Sequence, residues 1–116
     1  MKTNTNLLNS LPNAVLISAA KQGFKSNLRP LKVDAASFLL ETGFNSFVGH
    51  ESFSQVLSSK LGIVVETKRA EYSPSLEDGT ILALVSPTRR LAEGEKWTEQ
   101  ELLSMPVNFF LLTFSI

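Results

Sequence analysis

The apolar positions of this chain fall into short runs whose period changes several times. Leu7-Leu8-Asn9-Ser10-Leu11 predicts a brief first strand, punctuated by Pro12-Asn13. Ala14 to Ala20 is apolar without a decisive period, so helix and strand both stand open for it, up to a stop at Gly23. Phe24 to Leu31 predicts a strand ending near Pro30. Asp34 is placed to cap a helix through Leu40, with Gly43 just past its C-terminus.

The clearest helical period follows. Phe53, Val56, Leu57 and Leu61 stand at offsets of three, four and eight, which makes one apolar stripe. Ser52, Ser54, Ser58, Ser59 and Lys60 cover most of the rest, and Gly62 is the stop signal. Ile63 to Arg69 starts β-branched and turns alternating, predicting a strand that runs out to solvent. Glu77-Asp78-Gly79 reads as a turn. Thr80 to Val85 is almost wholly apolar, predicting a central strand buried on both faces and ended by Pro87. Thr98-Glu99-Gln100-Glu101 is a capping-box pattern before a short helix with Leu102 and Leu103 on its apolar side. Val107 to Ile116 predicts a last strand, apolar on both faces, which a helix or a second subunit must cover.

Strands interleaved with helices predict an α/β fold: a single domain over residues 1–116, with helices packed on a mixed β-sheet. At 116 residues and 43% hydrophobic, the chain can bury one core. Eight phenylalanines, one tyrosine and one tryptophan help fill it. Eleven basic and eleven acidic residues leave a formal charge of zero, which argues against binding long nucleic acid by bulk electrostatics. A small anionic ligand held by a local cluster stays open. The absence of cysteine excludes disulfides, thiolate chemistry and cysteine-based zinc sites. One histidine excludes a histidine-rich metal site within one subunit. Neither a metal nor another cofactor is therefore expected. No stretch reaches the roughly 18–20 apolar residues that span a bilayer, and the N-terminus is unlike a signal peptide. The expectation is a cytoplasmic protein without a membrane partner.

His50 is the first candidate for chemistry. It follows Gly49, which lets a ligand approach the backbone, and it stands where a loop enters the predicted helix. The first turn of a helix exposes unpaired N–H groups and a positive dipole end, which attract phosphate. An unperturbed imidazole titrates near pH ~6.5 and serves as acid or base. Arg90 can hold phosphate oxygens bidentately, and Glu93 can orient a hydroxyl or assist proton transfer. Lys68-Arg69, Asn9 and Asn13 are further candidate ligand contacts. Singly, each is equally a helix-cap, turn or solvated surface residue. There is no phosphate loop, paired-aspartate metal site or nucleophile elbow. The chemistry this kit fits is transesterification by RNA's own 2′-hydroxyl, with an acid for the leaving 5′-oxygen.

In this order, the pieces resemble the viral anti-CRISPR ring nucleases that destroy cyclic tetra-adenylate. The anchors are Leu7-Leu8-Asn9-Ser10, Ser46-Phe47-Val48-Gly49-His50-Glu51-Ser52, Leu61-Gly62, Arg69, Arg90-Leu91-Ala92-Glu93-Gly94 and the helix Thr98 to Leu103. The resemblance implies a homodimeric α/β protein holding cyclic oligoadenylate across its two-fold interface. It implies cleavage without metal to linear di-adenylate with 2′,3′-cyclic phosphate ends, blocking type III CRISPR signalling. On that resemblance His50 is the catalytic acid, Glu93 a catalytic carboxylate and Arg90 a ligand-binding arginine. Asn9 and Arg69 match positions near the ligand, and Gly49, beside His50, is counted with them as ligand-binding for its open backbone. Pro12 departs from the family pattern where a hydroxyl is common, Lys68 departs from an asparagine, and Ala14 to Leu31 aligns poorly. These departures bear on ligand affinity. Rival expectations are a non-enzymatic protein that sequesters the nucleotide, a small dimeric adaptor, and, weaker, a general ribonuclease.

Overall fold

In the computed structural model, which describes residues 5–74, 76, 79–86 and 89–116, the apolar runs assemble one mixed sheet. In chain order the elements are β1 (Thr5–Leu8), α1 (Asn13–Lys21), β2 (Lys25–Leu31), α2 (Val33–Leu40), β3 (Asn45–Ser46), α3 (Glu51–Leu61), β4 (Gly79–Val85), α4 (Glu99–Ser104) and β5 (Val107–Ser115). The strand order is β2-β5-β4-β1-β3. β1 runs parallel to both β3 and β4, while β5 is antiparallel to β4 and β2.

Side chains alternate across a sheet, so register decides which layer each residue joins. Leu7, Ile81 and Leu111 stand opposite one another across β1, β4 and β5. With Ala83 and Phe109 they meet Leu40 of α2 and Leu57 and Leu61 of α3. On the other face, Leu112 and Phe114 meet Val15 and Ala19 of α1. The last strand is thus covered by helices on both faces over much of its length. The cover is incomplete. Phe110 is half-buried, and its same-face neighbours Leu84 and Leu28 are 38% and 51% exposed.

The open stretch Ala14 to Ala20 forms a helix. Its buried residues, Val15 and Ala19, are one turn apart, and Leu16 and Ile17 point outward. α3 begins at Glu51 with His50 as its N-cap, and Gly62 closes it at φ 69°, a left-handed conformation that suits glycine. The capping box of α4 is present: Glu101 N donates to Thr98 Oγ1 at 3.1 Å, and Thr98 N donates to Glu101 Oε1 at 3.0 Å. β4 is the sheet's middle strand, buried from Thr80 to Ala83.

Three expectations are corrected. The first strand ends at Leu8, short of Leu11. The N-cap of α2 is Lys32, and Asp34 lies in its first turn, where its charge still favours the helix dipole. Ile63 to Arg69 forms no strand. Its backbone is strapped by side chains instead. Val65 N donates to Ser58 Oγ at 2.9 Å, and Ser46 Oγ donates to the Glu66 carbonyl. Thr67 Oγ1 donates to Ser54 Oγ at 2.8 Å, and only Lys68 N reaches a neighbouring backbone, the Val48 carbonyl, at 2.8 Å. Glu77, Asp78 and Pro87, expected to form a turn and a strand end, lie outside the described residues. Among the described residues no helix is long and apolar enough to cross a membrane.

Candidate functional site

Because β1 and β3 are parallel neighbours, their carboxyl ends open on the same side of the sheet. The loop after β1 carries Asn9, Ser10 and Pro12 into α1; the loop after β3 carries Phe47, Gly49 and His50 into α3. Two helix N-termini therefore start side by side. Neither receives a side-chain cap: the N-cap of α1 is Pro12 and that of α3 is His50. In α/β sheets, ligands settle in the crevice beyond the carboxyl ends of strands. Here that crevice is a cavity of about 740 Å³.

The cavity is lined by Asn9, Gly49, His50 and Arg69, four of the eight residues singled out from sequence; Asn13 and Lys68 are not on its wall. Arg69 Nε donates to the Gly49 carbonyl at 3.2 Å, tying the strapped segment to the loop that delivers His50. A Cβ at position 49 would meet Arg69 Cγ at 3.6 Å, an ordinary contact, so the fold itself does not require glycine there. The exposed imidazole of His50 lies edge-on to the Phe53 ring, with centroids 5.6 Å apart and planes at 88°. The lining also includes Phe47, Phe53 and Glu71, which sequence reasoning did not single out. Glu71 is two residues beyond Arg69; that spacing in an extended segment was the available signal.

Arg90 and Glu93 are placed differently. β4 is also parallel to β1, so the chain leaving it emerges at the same end of the sheet. Arg90 lines an adjoining cavity with Ser52, Arg89, Leu91 and Trp97, and Phe53 is the wall common to both. Glu93 is exposed and lies on the wall of neither.

The loop carrying both is fastened by Arg89. Its Nε and Nη2 donate to the two carboxylate oxygens of Glu101 at 2.7 and 3.1 Å, and its Nη1 donates to Glu95 at 3.0 Å. The guanidinium carbon stands 5.3 Å from the Trp97 ring centroid. Glu95 also accepts from Ala92 N at 2.7 Å. The hydrogen bonds from Arg89, then that from Thr98 N, hold the Glu101 carboxyl down to about 2. The Ala92 N–H and then Arg89 lower that of Glu95. Both carboxylates favour the clipped form above the ordinary value of 4.5; the preference is lost as pH falls below it, for Glu101 through about 2. The groups are exposed, so the clip shapes the loop more than it stabilises the fold. Acid titration of the fluorescence of Trp97, the sole tryptophan, should show a transition below pH 4.5. Glu101→Gln should shrink that transition to the part that Glu95 contributes. A flat wild-type profile would contradict the clip.

These elements define a small α/β domain whose candidate site lies beyond the carboxyl ends of parallel strands. The chain belongs to the STIV B116-like family, whose model matches residues 6–110. Its fold is shared with B116 of Sulfolobus turreted icosahedral virus (STIV), at a TM-score of 0.70 and 16% identity, covering 95% of this chain and 98% of the viral one. That likeness is one of fold. A comparison with curated proteins gives no match.

Proposed function

We propose that this protein is a metal-independent ring nuclease that cuts cyclic oligoadenylate, most naturally cyclic tetra-adenylate, to linear di-adenylate with 2′,3′-cyclic phosphate ends. In a cell with a type III CRISPR system, that activity silences the antiviral signal. The observation that carries the reading is the convergence of two helix N-termini without side-chain caps, His50 and Arg69 on one cavity. Amide groups, two dipole ends and a guanidinium favour a phosphodiester, and an imidazole beside it can protonate a departing oxygen. In the reaction, the ribose 2′-hydroxyl gives up its proton to water as its oxygen attacks the adjacent phosphorus, and the P–O5′ bond breaks. The 5′-oxygen takes the proton from His50. Arg90 binds and stabilises the phosphate, and Glu93 orients the reacting groups. Asn9 and Gly49 contact the ligand.

The protein acts as a homodimer in this reading. The incompletely covered face at Phe110, Leu84 and Leu28 supports a second copy, as does the two-fold symmetry of the ligand. Its setting would be the cytoplasm where the messenger is made. One observation favours a protein that sequesters the ring without cutting it: Glu93 lies off the His50 cavity within a protomer.

The deciding experiment incubates the protein with cyclic tetra-adenylate in excess EDTA and resolves products by chromatography and mass spectrometry. Linear di-adenylates with cyclic phosphate ends are expected. Intact ring released on denaturation would replace the nuclease reading with sequestration. Failure to retain the ring at all would remove both.

A further inference from the structure

A second chamber of about 440 Å³ lies beside the His50 cavity, under the N-terminal turns of α1. The two share walls at Ser10, Phe47 and Glu71, so they are neighbours along one surface. The volume falls within the roughly 300–1,000 Å³ of small-molecule sites. Leu8 and Val15 supply apolar surface; both are buried. The Phe47 ring is held edge-on by Tyr72, with centroids 5.5 Å apart and planes at 80°. Tyr72 is itself fixed by its hydroxyl, 2.9 Å from Thr80 Oγ1.

We infer that this chamber is the slot for one adenine base of the ring, with Glu71 reading its exocyclic amine; this rests on the proposed function. The chemistry of a nucleotide divides as the two cavities do. A phosphodiester seeks the amides, imidazole and guanidinium of the outer cavity, and a planar base seeks apolar and aromatic walls. Stacking alone tolerates every base, so selection falls to edge groups. An ionised carboxylate only accepts hydrogen bonds. It pairs with the N6 amine of adenine and opposes the O4 carbonyl of uracil, which is also only an acceptor. The Ser10 hydroxyl at the mouth can donate to a ring nitrogen.

The test titrates cyclic tetra-adenylate and cyclic tetra-uridylate into the wild-type protein, following the methyl resonances of Leu8 and Val15 alongside cleavage. Ala14→Trp is run in parallel. Ala14 is exposed but lines the chamber, so the larger side chain fills it from outside the core. The adenylate ring should move both sets of methyls, the uridylate ring should not, and Ala14→Trp should weaken adenylate binding about tenfold or more. Glu71→Gln should narrow the difference between the rings. Cleavage of the adenylate ring with unmoved methyls overturns the slot and leaves the nuclease standing. Moved methyls without cleavage leave the slot standing and overturn the nuclease. No binding of either ring at about 1 mM overturns both. The wild-type methyl shifts decide the matter even if Ala14→Trp does not fold.

Discussion

Replacing His50 with alanine is expected to slow cleavage of cyclic tetra-adenylate by about 10²–10⁴-fold while its affinity stays within severalfold of wild type. The separation follows from where the residue sits. His50 is the N-cap of α3 but offers no side-chain cap to that helix, so losing the imidazole leaves the first turn's hydrogen bonding as it was. Ser54 N still donates to the His50 carbonyl at 3.0 Å, a bond alanine keeps. The amide groups and Arg69 remain to hold phosphate. What disappears is the proton donor, whose worth is realised only as the P–O5′ bond breaks. Single-turnover rates and equilibrium binding, measured on the same preparation, check this. Turnover equal to wild type would remove His50 from the reaction. An equal loss in affinity would make it a ligand contact.

Truncating Leu57 to alanine is expected to remove about 2–5 kcal/mol of stability and to lower the melting temperature by roughly 10–20 °C. Leu57 is fully buried on α3, packed with Leu7, Val48 and Ile81. Leu7 lies on β1 and Ile81 on β4. Those strands end at the loops that build the candidate site, so the same change should weaken ring binding near the new melting temperature. Leu103→Ala, on a side chain 65% exposed, is the control and should move stability by under about 0.5 kcal/mol. Thermal and urea unfolding measure both. A loss below about 1 kcal/mol at Leu57 would mean that the α3–sheet contact is not the seat of the core.

What could be read from the sequence was what is local. The stripe Phe53, Val56, Leu57 and Leu61 with Gly62 behind it marked α3, and the spacing of Thr98 and Glu101 marked the capping box of α4. Four of eight candidate residues lie on one cavity: Asn9, Gly49 and His50 because their segments leave parallel strands at the same end, and Arg69 because the strapped segment is tied to the Gly49 loop. What escaped depends on long-range partners. Ser54 reads as a solvent-facing serine on a helix, yet it is buried and accepts from Thr67. Ile63 to Arg69 has the composition of a strand, but Val65, Glu66 and Thr67 bond to serine side chains on α3 and β3. Arg89 and Arg90 are equivalent letters in sequence; only the positions of Glu95, Trp97 and Glu101 show which one fastens the loop. Phe47 and Glu71 become site residues only once β1, β3 and the strapped segment are folded together.

The two margins of the sheet limit how copies of this protein can associate. β3, at one margin, is two residues long and offers almost nothing for a further strand to zip onto. β2, at the other, carries Lys25 and Arg29 and includes Pro30, which has no N–H to contribute. Open-ended growth by strand addition, the route to fibres, is disfavoured at both margins. For the second copy proposed above, the route left is broadside, through the face at Phe110, Leu84 and Leu28.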